Sequence, residues 1–151
     1  MNRRRFLAAS ASGLAAAAVP AHAQRFQPPQ DVAPLIQQIT GGAALTASGL
    51  AVKLPQLAEN GNSVPMQLTV QSSMTAEDHV EALYVIAPRN PRPLVATFHL
   101  GPDAGRAEVA TRVRLAGTQK VVSIARLNGN RFLVNETEVL VTSAACLDES
   151  L

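Results

Sequence analysis

A single cysteine, no tryptophan and 3% aromatic residues in a chain of 151 leave few sources of chemistry. The lone thiol, Cys146, forms no disulfide within the chain and no CxxC pair. The HExxH, GxSxG and phosphate-cradling glycine-rich patterns are missing too, so no signature of zinc hydrolysis, a serine nucleophile or nucleotide binding is present. Beyond residue 23 there are just two histidines, His79 and His99, and a metal site built on them needs a third ligand from Cys146 or a carboxylate. The expectation is a protein without cofactor or metal that is not an enzyme by itself. No apolar run is long enough to span a bilayer, which excludes membrane insertion. Any excess of basic charge is confined to one place: without residues 1–23, ten basic residues face eleven acidic ones, and a nucleic-acid role loses its support.

Those first residues have an organisation of their own. Arg3-Arg4-Arg5 form a charged start, Ala8 to Val19 an apolar stretch, and Ala21-His22-Ala23 a small-x-small cleavage site. Arg3-Arg4-Arg5-Phe6-Leu7 resembles the RRxFL motif of twin-arginine leaders, and the alanine-rich core that follows suits that route. Residues 1–23 are therefore expected to be an export signal, with a periplasmic mature protein starting at Gln24. Residues 24–30 form a polar, proline-containing linker.

The remaining 31–142 segment has the pattern of strands. Asp31 is placed to cap a short helix in which Val32, Leu35, Ile36 and Ile39 share one face, and Gly41-Gly42 ends it. Period-two alternation follows in Leu50/Val52/Leu54, in Met66/Leu68/Val70 and from Ala107 to Leu115. Apolar runs at 80–87, 94–100, 119–127 and 132–142 bring the total to about seven strands. Asn60-Gly61 and Asn128-Gly129 suit tight hairpin turns. The expected fold is all-β: an immunoglobulin-like sandwich with a short N-terminal helix and a flexible C-terminal arm over 143–151 that carries Cys146. Arg112, Arg114 and Arg126 are candidates for a basic patch.

Several stretches carry a family likeness. They are Leu54 to Pro65 (LPQLAENGNSVP), Ser73-Met74-Thr75, Asn90-Pro91-Arg92-Pro93, Val95 to His99 and Thr111 to Gln119 (TRVRLAGTQ). Over about residues 39–142 the chain resembles SoxY, the sulfur-carrying subunit of the periplasmic thiosulfate-oxidising (Sox) system. The resemblance implies that a C-terminal cysteine, by position Cys146, holds thiosulfate-derived sulfur covalently. It also implies a heterodimer with a SoxZ-like sandwich subunit. Visits follow from a haem c enzyme that couples thiosulfate to the thiol, a hydrolase that releases sulfate, and a dehydrogenase that oxidises the remaining sulfane sulfur.

The family's arm usually reads GGCGG, whereas here it reads Ser143-Ala144-Ala145-Cys146-Leu147-Asp148-Glu149-Ser150-Leu151. The alanines add Cβ atoms where glycine keeps a tether thin, and Asp148 and Glu149 disfavour a nearby thiolate. Three readings stay open on this departure: a carrier with a modified arm, a SoxY-like paralogue whose arm has another task, and a non-catalytic periplasmic interaction module.

Overall fold

The structure, a computed structural model, describes residues 28–145; the leader and Cys146 lie outside the described residues. Helix α1 (Ala33–Thr40) starts where the Asp31 carboxylate accepts the Ala33 N–H at 2.9 Å, and ends at Gly41, whose φ of 62° turns its own N–H back onto the Gln37 carbonyl. Among the described residues nine strands follow: β1 (Leu45–Thr46), β2 (Leu50–Lys53), β3 (Leu57–Ala58), β4 (Val64–Val70), β5 (Val80–Ile86), β6 (Leu94–His99), β7 (Glu108–Val113), β8 (Gln119–Leu127) and β9 (Arg131–Val141). The seven longer ones are those expected from the sequence. The two extra strands, β1 and β3, are two-residue parallel additions to β9, too short to show any periodicity.

Two sheets face each other in the expected immunoglobulin-like sandwich. One runs β1-β9-β8-β5-β6 with β3 also on β9, and the other β2-β4-β7. Alternation along β4 sends Val64, Met66, Leu68 and Val70 into the space between the sheets, where they meet Val80, Leu83 and Val85 of β5 and Val121, Ala125 and Leu127 of β8. β5 and β8 are apolar almost throughout because their other face is covered as well. There Ile86, Val122, Ile124 and Phe132 pack under Leu35, Ile36 and Ile39 of α1 and Val32 just before it, so both faces of the central strands are dry. The β8–β9 turn places its positive φ angles at Gly129 (70°) and Asn130 (59°), one residue later than the Asn128-Gly129 reading.

One polar side chain inside this core lacks a partner. Ser123 of β8 is fully buried, and its hydroxyl has no hydrogen bond among the described residues. An unpaired buried hydroxyl carries its full desolvation cost. Ser123→Ala is therefore expected to stabilise the fold by about 1 kcal/mol in urea unfolding, and an equal destabilisation would show that the hydroxyl is engaged.

At the pole where β4 gives way to β5, the 72–78 loop is tied by Asp78. Its carboxylate takes a 2.7 Å ion pair from Arg131, the Ser73 N–H at 3.0 Å and the Ser72 hydroxyl at 3.1 Å. Arg131 foremost, and then these hydrogen bonds, holds the carboxyl well below the usual carboxylate range. A folded-state value below the unfolded one, about 3.9, means that this tie stabilises the protein fully above that pH and is lost as the pH falls through the acid range beneath it. Asp78→Asn should flatten the acid limb of the stability–pH curve below about pH 4, and an unchanged limb would contradict the assignment.

Candidate functional site

The opposite pole of the sandwich, where β9 ends and β4 begins, gathers most of the stretches singled out in the sequence. Pro55 breaks β2 from β3, and the chain then runs alongside the end of β9. Leu140 N–H bonds to the Gln56 carbonyl at 2.9 Å, Thr142 N–H to the Ala58 carbonyl at 3.1 Å, and the Thr142 hydroxyl to the Glu59 carbonyl at 3.0 Å. Asn60 caps the bend with its side-chain oxygen on the Asn62 N–H at 2.9 Å.

Gly61 then meets the root of the C-terminal arm. Its N–H donates to the Ser143 carbonyl at 2.7 Å, its carbonyl accepts the Leu115 N–H at 2.8 Å, and the Leu115 carbonyl accepts the Ala145 N–H at 3.0 Å. Three chain segments thus close into a clasp. Glycine is required here for space rather than for a turn: its φ is not in the left-handed region, but a Cβ would collide with the Leu115 carbonyl oxygen and stand 2.9 Å from Ala145 N and 3.0 Å from Ser143 O. All three are backbone atoms with no rotamer to escape into. The hairpin-turn reading of Asn60-Gly61 gives way to this close approach.

The Thr111 to Gln119 stretch supplies the other jaw, and a buried polar network holds it. Asn90, 3% exposed, donates from Nδ2 to the Arg114 carbonyl at 2.8 Å and accepts the Ala116 N–H at 3.0 Å and Gln119 Nε2 at 3.3 Å. Gln119 in turn accepts the Arg89 N–H at 2.9 Å. The residues on either side of Leu115 are thereby fixed from the Asn90 side chain. Thr118 completes the link to β9, its hydroxyl accepting the Val141 N–H at 2.9 Å.

The sequence alone reads Ser143, Ala144 and Ala145 as the start of the arm, whereas in the structure the backbones of Ser143 and Ala145 are hydrogen-bonded into the body and Ala145 is 7% exposed. Cys146 follows directly. The other candidates stand apart from this pole. His79 begins at the 72–78 loop with Nδ1 3.0 Å from the Thr75 carbonyl oxygen, and His99 closes β6. Among the described residues no three His, Cys, Asp or Glu side chains come together in a group that could hold a metal. The basic patch does not assemble either. Arg112 lies in β7 with its Nε on the Ser63 hydroxyl at 3.1 Å, while Arg126 lies in the other sheet, paired with Glu81 at 2.8 Å.

Comparison with known proteins bears on this arrangement. A family model described as sulfur oxidation protein SoxY matches residues 36–146, from α1 to the cysteine. The chain belongs to the SoxY family. Among solved structures, the sulfur carrier protein SoxY from Chlorobium limicola f thiosulfatophilum is similar at 27% identity and a TM-score of 0.61, covering 72% of this chain and 94% of that one. Superoxide reductases share the sandwich alone. That of Ignicoccus hospitalis (neelaredoxin) matches at 13% identity and TM-score 0.54 over 69% of this chain and 91% of that one, and that of Nanoarchaeum equitans at 11% and 0.51 over 64% and 100%. No curated protein matches significantly. The SoxY match places the Gly61 and Leu115 jaws, the Asn90 network and Cys146 within one family-matched span, and no helix among the described residues is long and apolar enough to cross a membrane.

Proposed function

We propose that this protein is a periplasmic sulfur carrier that holds thiosulfate-derived sulfur on Cys146 and presents it to the enzymes of a Sox system. The observation that carries the reading is the family match, which extends to Cys146 and whose marker stretches build the seat of the arm that carries that cysteine. In the loading step the Cys146 sulfur bonds to the outer sulfur of thiosulfate. The thiol proton goes to solvent and an electron pair goes to the haem c enzyme. Water then attacks the sulfonate sulfur in the hydrolase, breaking its bond to the sulfane sulfur; sulfate leaves and a persulfide stays on Cys146 for the sulfane dehydrogenase. The carrier itself supplies a nucleophile and a place to stand, and needs no cofactor. Asp148 and Glu149 put negative charge close to the thiol in sequence, which opposes the approach of a thiosulfate dianion, so loading is expected to depend on the enzyme rather than on the free thiol.

A SoxZ-like subunit is the expected companion, and a folded companion without a signal of its own accounts for a twin-arginine leader on a cofactor-free chain. Surface apolarity supports a partner: Leu57 and Leu140 are 53% and 51% exposed and lie side by side across the β3–β9 pairing, next to the arm root. A second reading, a SoxY-like paralogue with another task for its arm, is favoured by the alanines where the family has glycines.

Purification from the periplasm of the native host grown on thiosulfate tests the reading. The expected result is a mature chain beginning at Gln24 that elutes from size exclusion together with a smaller sandwich subunit. A chain retaining Met1 to Ala23 in the cytoplasm, or one eluting as a well-behaved monomer, would overturn it.

A further inference from the structure

The carrier reading treats the arm as a tether, and its reach depends on where the body lets go of it. Ser143 and Ala145 are both held, through Gly61 N–H and the Leu115 carbonyl, and the next residue is Cys146. Consecutive Cα atoms are about 3.8 Å apart, so the Cys146 Cα lies within that distance of a fixed one. We propose that Gly61 is a positioning residue that holds the chain up to the residue before the thiol, making the protein a short-leash carrier whose enzymes must dock against the Gly61–Leu115 pole. The proposal rests on the carrier reading above.

The geometry leaves Gly61 no substitute. Any side chain at 61 meets backbone oxygens and an amide nitrogen of the two other jaws, so the jaws must part for it to fit. Parting them frees the chain from Ser143 onward, which lengthens the tether from one residue to about four and adds roughly 10 Å of reach. A longer tether dilutes the thiol at a docked active site, by about tenfold for this change in length, because effective concentration falls steeply as a tether outgrows its span. A small reagent that needs no docking gains access instead. The two effects have opposite signs, and because unfolding would also expose the thiol, they speak for the clasp where thermal unfolding and pairing with the sandwich subunit are unchanged.

The test uses the mature protein paired with its sandwich subunit, in unmutated form and as Gly61→Ala, Ala145→Pro and Ser143→Ala. Ala145→Pro removes the N–H donated to Leu115 and stiffens the chain there, at the edge of the fold and away from Gly61, and so answers the question even where Gly61→Ala fails to fold. Ser143→Ala keeps every backbone bond of the clasp and serves as the conservative control. Loading from thiosulfate by the haem c enzyme is followed by mass, and alkylation of the thiol by iodoacetamide is timed in parallel. Gly61→Ala is expected to load about tenfold more slowly and Ala145→Pro, still held at Ser143, about fivefold, both being alkylated at least as fast and unfolding and pairing as the unmutated protein does, and Ser143→Ala to match the unmutated protein throughout. Equal loading rates in all four proteins would overturn the clasp alone, as would a parallel loss of loading and alkylation. A failure of the unmutated protein to load would instead remove the carrier reading, and the positioning role with it.

Discussion

Cys146→Ser is expected to bring thiosulfate turnover by the reconstituted Sox enzymes down to background while leaving thermal unfolding and pairing with the sandwich subunit unchanged. The chain has no second thiol to take over, and serine keeps the side chain's size while replacing sulfur by a hydroxyl that cannot form the disulfide-like bond to thiosulfate. The substitution lies directly after Ala145, the last hydrogen-bonded residue among those described. Turnover of the serine protein clearly above background would mean that sulfur passes through the system without this residue.

The second large effect is structural and falls on Asn90. Asn90→Ala is expected to lower stability by about 2–4 kcal/mol in urea unfolding, because it strands several groups at once. The Arg114 carbonyl loses its donor, and the Ala116 N–H and Gln119 Nε2 lose a shared acceptor in a buried setting. Water has little room to replace a side chain that is only 3% exposed. The same change should loosen Leu115, which sits between Arg114 and Ala116, and thereby speed hydrogen exchange at the Ala145 amide. A loss below about 0.5 kcal/mol would show that the network adds little to the fold.

The sandwich was legible because its longer strands write their burial into the sequence. β4 alternates between core and surface, β7 does so more loosely, and both could be placed from Met66/Leu68/Val70 and from Ala107 to Leu115. β5 and β8 could be placed as apolar runs, but the reason for their continuity, the cover provided by α1, emerges only in three dimensions. What could not be read was the seat of the arm. Gly61 beside Asn60 has the appearance of a turn, and nothing local distinguishes a glycine that turns from one that lets another backbone come close. Asn90 before Pro91 likewise looks like a surface bend, although it is buried at the joint of three segments. Both residues act on partners far along the chain, Gly61 on Ser143 and Asn90 on Ala116, and such pairings leave no periodic trace. The one local hint was that the family-marking stretches lie far apart in sequence, and most of them meet at this pole.

The short leash also bears on the missing glycines. In a chain held up to Ala145, the residues before the cysteine need not bend freely, and alanine fills Ala145's buried seat where glycine would leave it empty.

The central claim is most directly tested by peptide mass spectrometry of the unmutated mature heterodimer after incubation with thiosulfate and the haem c enzyme, beside a glycine-armed SoxY as control. The account predicts a sulfur adduct on the peptide containing Cys146 and on no other. Absence of any adduct under conditions that load the control would contradict it.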